Sequence, residues 1–270
     1  MKINISNLNT IKVNIDAVEY PVNRIILQEQ GQQPIDVYVK NDFATQCFTI
    51  ESLVSNNSIT FTKSNYAQIT TMYVSEDNGE TWAERSNNAG WVWSLPNIGD
   101  KLLIKGTATL YDSCKFSSTG NIKVYGNIMS LLYDDNFVGQ TSLPQEQYVF
   151  YGLFNGCTTL VDASNLVLPA TTLASRCYST MFYGCISLVT APTLPAATLA
   201  QNCYQEMFYG CTSLNYIKCL ATDISASGCT RDWVKNVAAS GTFVKASNMS
   251  SWPTYVNGIP NGWTVENATA

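Results

Sequence analysis

LPATTLASRCYSTMFYGC, residues 168–185, and LPAATLAQNCYQEMFYGC, residues 194–211, are nearly identical, and this internal repeat is the main indication of how the chain folds. The first residues of the two copies, Leu168 and Leu194, are 26 positions apart. A unit of this length is too short to bury its own apolar side. Near-identical copies at a fixed period therefore indicate supersecondary units that stack on one another and share one core.

Within each copy, the apolar residues recur at intervals that favour a helix. Leu173, Cys177 and Met181 are four positions apart, which places them on one helical stripe. Gly184 and Gly210 follow the stripe, where a helix commonly ends in a left-handed residue. Each unit is predicted to consist of a helix, a turn, a short strand and a second turn. The predicted repeat core is Leu173, Cys177, Met181, Phe182, Cys185, Leu199, Cys203, Met207, Phe208 and Cys211.

The pattern along the chain predicts three domains. Residues 1–36 alternate in short runs and are predicted to be an N-terminal arm or attachment strands. Residues 37–125 contain short strand-like runs such as CFTI, SITFT and KLLIKGTATL between turns, which is typical of a β-sandwich. Residues 126–270 hold the two clean repeats, a degenerate unit on each side and a C-terminal cap, because terminal repeats have to close the core.

Charge and hydropathy exclude several partners. Charged residues make up 13% of the 270 and the net charge is −5, without a basic cluster, so nucleic acid is not an expected partner. No stretch approaches the roughly 20 apolar residues that span a bilayer, so membrane insertion is not expected. The N-terminal sequence MKINISNLNTIKVNID lacks the apolar core of a secretory signal. We therefore expect synthesis and folding in a cytosol.

The nine cysteines favour buried free thiols. Cys177, Cys203 and Cys229 recur at 26-residue steps, and Cys185 and Cys211 form a parallel series. Equivalent thiols in a stack would lie above one another as small apolar groups. The odd count and the cytosolic setting favour thiols over disulfides. A metal site is not expected, because the chain has no Cys-x-x-Cys pair and no histidine.

One short motif resembles a known hairpin. SEDNGETW, residues 75–82, resembles the Asp-box hairpins of sialidase propellers through Ser75, Asp77, Gly79, Thr81 and Trp82. The physical content of the motif is a tight turn in which the carboxylate accepts backbone hydrogen bonds and glycine takes a positive φ. A sialidase needs several boxes and an arginine cluster for its substrate. One box and four scattered arginines predict a structural turn.

The residue inventory argues against an enzyme. Without histidine a Ser-His-Asp or Cys-His arrangement cannot form, and no phosphate-binding glycine motif is present. The carboxylate pairs Asp134–Asp135 and Glu76–Asp77 could serve a hydrolase as acid and base, but neighbouring side chains usually point apart, which favours solvated turns. We predict a protein that is not an enzyme and that uses no cofactor and no metal.

Two tyrosines are the candidate ligand contacts. Tyr183 and Tyr209 occupy equivalent places beside the predicted core phenylalanine and should form a row along the stack. Tyrosine combines apolar area with a hydroxyl at low entropic cost, which suits contact with sugar rings or protein. Tyr178 and Tyr204 form a parallel row whose spacing is more typical of core.

The repeats carry a family resemblance. Residues 182–188 and 208–214 share the order Phe-x-Gly-Cys-x-Ser-Leu, with a looser version at 154–160. Over residues 126–270 the chain resembles the BspA-like leucine-rich repeats, in which this signature ends each unit. The strand pattern and the resemblance together predict an α+β multidomain fold. It consists of an N-terminal all-β, sandwich-like domain followed by a short α/β leucine-rich-repeat solenoid with a C-terminal cap, the solenoid being what the resemblance implies.

The resemblance also implies a function. In that family the arrays are adhesion modules of gut bacteria and their bacteriophages, and the segment NIMSLLYDDNFVGQTSLP and the ending GIPNGWTVENA look like the phage-encoded members. The expectation is a non-enzymatic virion structural protein, a head or tail fibre or decoration component assembled in the host cytoplasm. The expected partners are capsid, portal or tail proteins through the N-terminal region, a host surface glycan or protein, and further copies of the chain in a homo-oligomer. The alternatives are a bacterial cell-surface leucine-rich-repeat adhesin and a glycan-degrading virion hydrolase.

Overall fold

The structure is a computed structural model that describes residues 25–27, 35–37, 43–85 and 90–269. The chain divides into Met1–Asp42 and Phe43–Ala270. In the first unit, strands β1 (Ile25–Leu27) and β2 (Ile35–Val37) pair antiparallel. Most of the arm predicted for residues 1–36 lies outside the described residues, and the domain boundaries stay predictions.

The second unit consists mainly of strands and turns. Its one α-helix among the described residues is α1 (Ser130–Tyr133), followed by a 3-10 turn at Asp134–Asn136. Its strands are β3 (Phe48–Ser52), β4 (Asn57–Thr62), β5 (Gln68–Ser75), β6 (Ala83–Glu84), β7 (Gly90–Leu95), β8 (Lys101–Leu110), β9 (Lys115–Ser118), β10 (Ile122–Asn127), β11 (Leu160–Asp162), β12 (Leu166–Val167), β13 (Tyr216–Cys219), β14 (Thr242–Lys245) and β15 (Thr264–Asn267).

The strands β3 to β10 lie in residues 43–127, which we call the first half of the second unit. They form two facing sheets. One sheet has the order β11-β10-β3-β8-β5-β6, and the other has the order β7-β4-β9. The sequence alternates along these strands: in β8, every second residue from Leu102 onward is buried. Phe48 on the first sheet meets Phe116 on the second with ring centroids 5.6 Å apart. This contact lies in the core between the sheets.

The predicted α/β leucine-rich-repeat solenoid is wrong. The described residues are mostly β, with 33% strand and 3% helix, and the two clean repeats contain no helix at all. Where helices were predicted, the chain makes a run of consecutive β-turns. Amides at alternate positions bond three residues back, as Met181 does to the carbonyl of Tyr178 (3.2 Å). An α-helix would bond four residues back.

The remaining amides of each of the first three runs bond to the next run. Tyr178 N donates to Cys203 O at 3.0 Å and Phe182 N to Met207 O at 2.9 Å. The same ladder of bonds links four runs, which we call the turn ladder: residues 148–156, 176–184, 202–210 and 228–236. The ladder also reaches the first half, because Tyr111 N donates to Val149 O and Phe116 N to Leu153 O, both at 2.8 Å.

A left-handed residue at every fourth position produces the turns. In one run Arg176, Thr180 and Gly184 have φ values of 56°, 53° and 69°. A positive φ at the third residue of a turn reverses the chain as in a type II turn, and the next turn follows two residues later. The structure therefore repeats every four residues. A period of four is close to the 3.6 of a helix, which is why the apolar spacing was misread.

Two buried columns of aromatic rings run through the stack. Phe154, Phe182 and Phe208 lie parallel, with ring centroids 5.5 and 5.7 Å apart. The second column joins Tyr111 to Phe150, then to Tyr178 and Tyr204, at 6.0, 5.9 and 6.1 Å in turn. The second column begins at Tyr111 and the first is continued by Phe116, 6.0 Å from Phe154, so the first half and the stack share one core.

The C-terminal segment closes the last run. The strands β13, β14 and β15 pair in parallel. Trp233 lies under both aromatic columns, with its ring centroid 6.2 Å from those of Tyr204 and Phe208. Its indole N–H donates to Gly258 O at 2.8 Å, and Trp252 stacks against it at 5.6 Å. The apolar end of the stack is thereby covered.

Candidate functional site: the turn face

Each run of the turn ladder places pairs of large side chains in the core, and the pairs between them are mostly half-buried or exposed; Ser179 and Thr180, at 1% and 5% exposed, are an exception. The buried pairs in the first clean copy include Tyr178 and Phe182, which are 1% and 0% exposed. The four-residue geometry requires the intervening pairs to point away from this core. We call the surface made by these pairs the turn face. Its half-buried members with ring or ion contacts are Tyr148, Tyr151, Arg176, Tyr183, Tyr209, Asp232 and Lys235.

The structure places Tyr183 and Tyr209 together on this face. Their rings are parallel within 8°, with centroids 4.8 Å apart, and Lys235 Nζ lies 5.3 Å from the Tyr209 centroid. The facing sides of the two rings are thus occupied by each other, and the far side of Tyr209 is next to an ammonium. The pair offers ring edges and hydroxyls to a ligand, and neither of these contacts covers the outer face of Tyr183.

A second cluster on the turn face was missed by sequence reasoning. The guanidinium of Arg176 lies over the Tyr148 ring, with its carbon 5.3 Å from the centroid, and Nη1 donates to the Tyr148 hydroxyl at 3.0 Å. Tyr151 packs against Tyr148 at 5.3 Å with an interplanar angle of 82°. We call these three residues the tyrosine–arginine corner. Aligning the degenerate first run with the clean copies by its Phe-x-Gly-Cys ending would have found it.

The residues predicted as repeat core lie inside the stack, with one partial exception. Leu173 is only half-buried and packs at the edge of the core. The others are at most 3% exposed: Cys177, Met181, Phe182, Cys185, Leu199, Cys203, Met207, Phe208 and Cys211. They line the stack through parallel contacts between equivalent positions, not through helix packing.

All nine cysteines are free, and eight of them are buried. Cys185 Sγ donates to Phe154 O at 3.1 Å and Cys211 Sγ to Phe182 O at 3.0 Å, so each thiol bonds to the preceding run. Burial raises the pKa of Cys211 and Cys219 to about 12. Since the thiolate is the reactive form, these thiols are poor nucleophiles and poor metal ligands at neutral pH.

The Asp-box-like motif forms the hairpin between β5 and β6. Ser75 Oγ donates to Asp77 Oδ1 at 2.6 Å, and Thr81 donates to the same carboxylate through its N–H and its hydroxyl. These hydrogen bonds lower the pKa of Asp77 to about 2. Gly79 has φ +93°, and Trp82 packs beneath Lys105, whose ammonium is 4.6 Å from its ring. The motif closes a turn and presents no cluster of arginines.

The carboxylate pairs considered for hydrolysis are engaged in ion pairs. Lys105 Nζ is 2.6 Å from Asp135 Oδ1 and 3.4 Å from Asp134 Oδ1. Burial lowers the pKa of Lys105, but the two carboxylates outweigh it and the net shift is upward. In the other pair, Glu76 lies 4.0 Å from Arg85. A carboxylate held by a cation is a weak general base.

Other features of the described residues offer less chemistry. A shallow open groove of about 300 Å³ is lined by neutral residues that include Phe43, Asn165, Leu166 and Pro195. In the part of the chain that the structure describes, no group of three or more acidic, cysteine or histidine side chains could hold a metal ion. No helix there is long and apolar enough to span a membrane.

Comparisons with known proteins found no family model, no curated protein and no solved structure that matches the chain.

Proposed function

We propose that the chain is a non-enzymatic structural protein of a bacteriophage virion, a head or tail fibre or decoration component that contacts the host surface or mucus. In this proposal the N-terminal region attaches to other virion proteins, and copies of the chain assemble into a homo-oligomer. The turn face meets the host. The resemblance of residues 154–160, 182–188 and 208–214 to adhesion repeats of gut bacteria and their phages motivates the class of protein.

One observation carries the proposal: tyrosines are held in register on a rigid face. Tyr183 and Tyr209 stack at 4.8 Å on backbones that are bonded between runs on both sides. A preformed row of tyrosines loses little entropy on contact with a ligand. The hydrolase alternative has no comparable support, because Lys105 holds Asp134 and Asp135 in ion pairs.

The location is tested by labelling purified virions with a gold-conjugated antibody raised against the full chain. The proposal expects regular labelling of the head or tail, and none on particles from a phage whose gene is disrupted. Labelling of the host cell envelope alone would assign the chain to a bacterial surface. An antibody that decorates no particle would contradict the proposal.

The role of the turn face is tested by competition for phage adsorption. The purified chain should slow adsorption of the phage to host cells, and the double variant Tyr183→Ala, Tyr209→Ala should lose this effect. Tyr255→Ala is the matched control, since Tyr255 is 64% exposed and lies outside the turn ladder. Equal loss in both variants would remove the turn face from the proposed function.

A further inference from the structure

Arg176 is a cation on the turn face for which the described residues supply no counter-ion. The ion pairs of the described residues involve other cations, among them Arg85, Lys105, Lys123 and Lys235. The Arg176 side chain is instead bonded to a neutral hydroxyl, that of Tyr148. A half-buried guanidinium without a carboxylate keeps its capacity to pair with an anion from outside.

The contacts of Arg176 fix the direction of its free donors. Nη1 donates to Tyr148 Oη at 3.0 Å, and the guanidinium carbon lies 5.3 Å from the Tyr148 ring centroid. A guanidinium has five N–H donors in a planar fork, of which this bond uses one. The remaining donors match the two oxygens of a carboxylate, and a side chain already held in place loses little entropy when that anion binds.

The surroundings of the corner suit a sugar ring. Tyr148 and Tyr151 are half-buried and meet edge to face at 82°, so part of each aromatic ring is exposed beside Arg176. Gln201, directly before the next run, is exposed, and its backbone carbonyl accepts a hydrogen bond from Ser175 Oγ at 3.2 Å. Aromatic walls pack against the C–H groups of a sugar, while amides and hydroxyls bond to its hydroxyls.

We propose that the tyrosine–arginine corner is a subsite for a carboxylate-bearing sugar, a uronic or sialic acid unit of a host surface or mucus glycan. The inference rests on the proposed adhesive function and names its ligand class. In this subsite Arg176 pairs with the carboxylate of the sugar, Tyr148 positions Arg176, and Tyr151 packs against the sugar ring. The pair Tyr183 and Tyr209 is less suited to a carboxylate. The cation beside it is Lys235, which is already paired with Asp232 at 3.8 Å.

The test is calorimetric or saturation-transfer NMR binding of the full chain to two acidic probes, a sialic acid oligomer and an oligogalacturonate. Each has its methyl ester as the neutral control. The two probes distinguish the sources of the carboxylate. We expect at least one acid to bind. Its methyl ester should bind about tenfold or more weakly, because the ester cannot form the charge-assisted hydrogen bond.

Four variants separate the corner from general charge. Arg176→Gln should weaken binding by about tenfold, and Arg176→Lys should restore only part of it, because an ammonium lacks the fork. Arg231→Gln removes the same charge from an exposed arginine of the last run and should change binding less than about twofold. Tyr148→Phe keeps the ring, removes the hydroxyl that holds the guanidinium, and should weaken binding about threefold.

Several results would overturn the subsite. These are equal binding of acid and ester, equal loss in the Arg176 and Arg231 variants, no binding of either acid, or equally tight binding of an oligoglutamate peptide. If Arg176→Gln fails to unfold cooperatively like the parent, the Tyr148→Phe result decides. If virions are labelled but the chain binds neither acid, the proposed function stands and the subsite is wrong. If the chain binds an acid but no virion is labelled, the subsite stands and the proposed virion function is wrong.

Discussion

At the residue scale, the left-handed positions determine the shape of each run. Among the described residues, twelve non-glycine residues have positive φ, including Arg176, Thr180 and Glu206. The places equivalent to these three in other runs hold tyrosine, aspartate, asparagine or glycine, all with positive φ. Left-handed backbone costs an L-residue about 1–2 kcal/mol, and only glycine avoids this cost. The ladder of hydrogen bonds and the buried pairs on each side must offset this strain.

Gly184→Ala tests this conformational cost without a steric one. The added Cβ would lie 3.9 Å from Gly156 Cα, an ordinary contact, while φ is +69°. We expect a loss of about 1 kcal/mol in the free energy of unfolding, measured by urea denaturation. Glu206→Gly, at φ 54°, should raise the free energy of unfolding or leave it unchanged. Equal destabilisation by both substitutions would contradict the role of φ.

Asp77 gives a pH dependence at the hairpin. Its carboxylate has a pKa of about 2 in the folded protein, below the ordinary 3.8, because Ser75 and Thr81 donate to the ionised form. A depressed folded pKa contributes stability above the unfolded value, and this contribution is lost as pH falls from about 4 towards 2. NMR titration of the carboxyl carbon should show the low pKa, and the stability difference from Asp77→Asn should shrink over that window. An ordinary pKa would disprove the hydrogen-bonded turn.

At the element scale, the run of turns behaves as a strand-like unit that needs neighbours on both sides. Half of its amides are bonded within the run and half to the next run, so a single run leaves half of them unpaired. Unpaired buried backbone groups are costly, which makes an isolated run unstable. The same argument explains why the first half supplies Tyr111 and Phe116 to pair with the first run.

Truncating the aromatic column should weaken the stack at this scale. Phe182 is fully buried between Phe154 and Phe208, so Phe182→Ala removes ring contacts on two sides and leaves a cavity. The expected loss is about 3–5 kcal/mol in urea denaturation. Ile186→Ala, at a side chain 47% exposed, should cost less than about 0.5 kcal/mol. Similar losses in both would mean that the column contributes little.

At the scale of the whole molecule, stacking through one continuous core makes the register between runs decisive. Deleting residues 180–205 removes 26 positions, joins Ser179 to Glu206 and leaves Met207 and Phe208 facing inward. We expect this variant to unfold cooperatively at a lower temperature than the parent. Deleting residues 180–203 removes 24 positions and turns Met207 and Phe208 outward. Its thermal transition, followed by circular dichroism, should be absent, and equal folding of both variants would contradict the four-residue geometry.

The strands of the first half could be predicted from the sequence, because the alternation of apolar and polar residues along a strand depends only on the strand itself. In β8 the side chains of Leu102 and Ile104 point one way and those of Lys101 and Leu103 the other, so the pattern in the sequence is the pattern of burial. The pair Tyr183 and Tyr209 followed from the repeat for the same reason, since equivalent residues in stacked copies become neighbours. The candidate contact row was therefore predictable. The openness of its ring faces was not, because that depends on the 4.8 Å stacking distance.

The sequence by itself determined that the units repeat every 26 residues, that they stack, and which residues of each unit are equivalent. Only the tertiary structure decided that each unit is a run of turns. Residues four apart share one side in both a helix and this run, and the choice between them depends on whether an amide finds its acceptor within the run or in the next copy. Alignment of the runs makes Tyr148 and Arg176 neighbours in the stack, but only the folded chain shows that the guanidinium lies over the ring and donates to its hydroxyl.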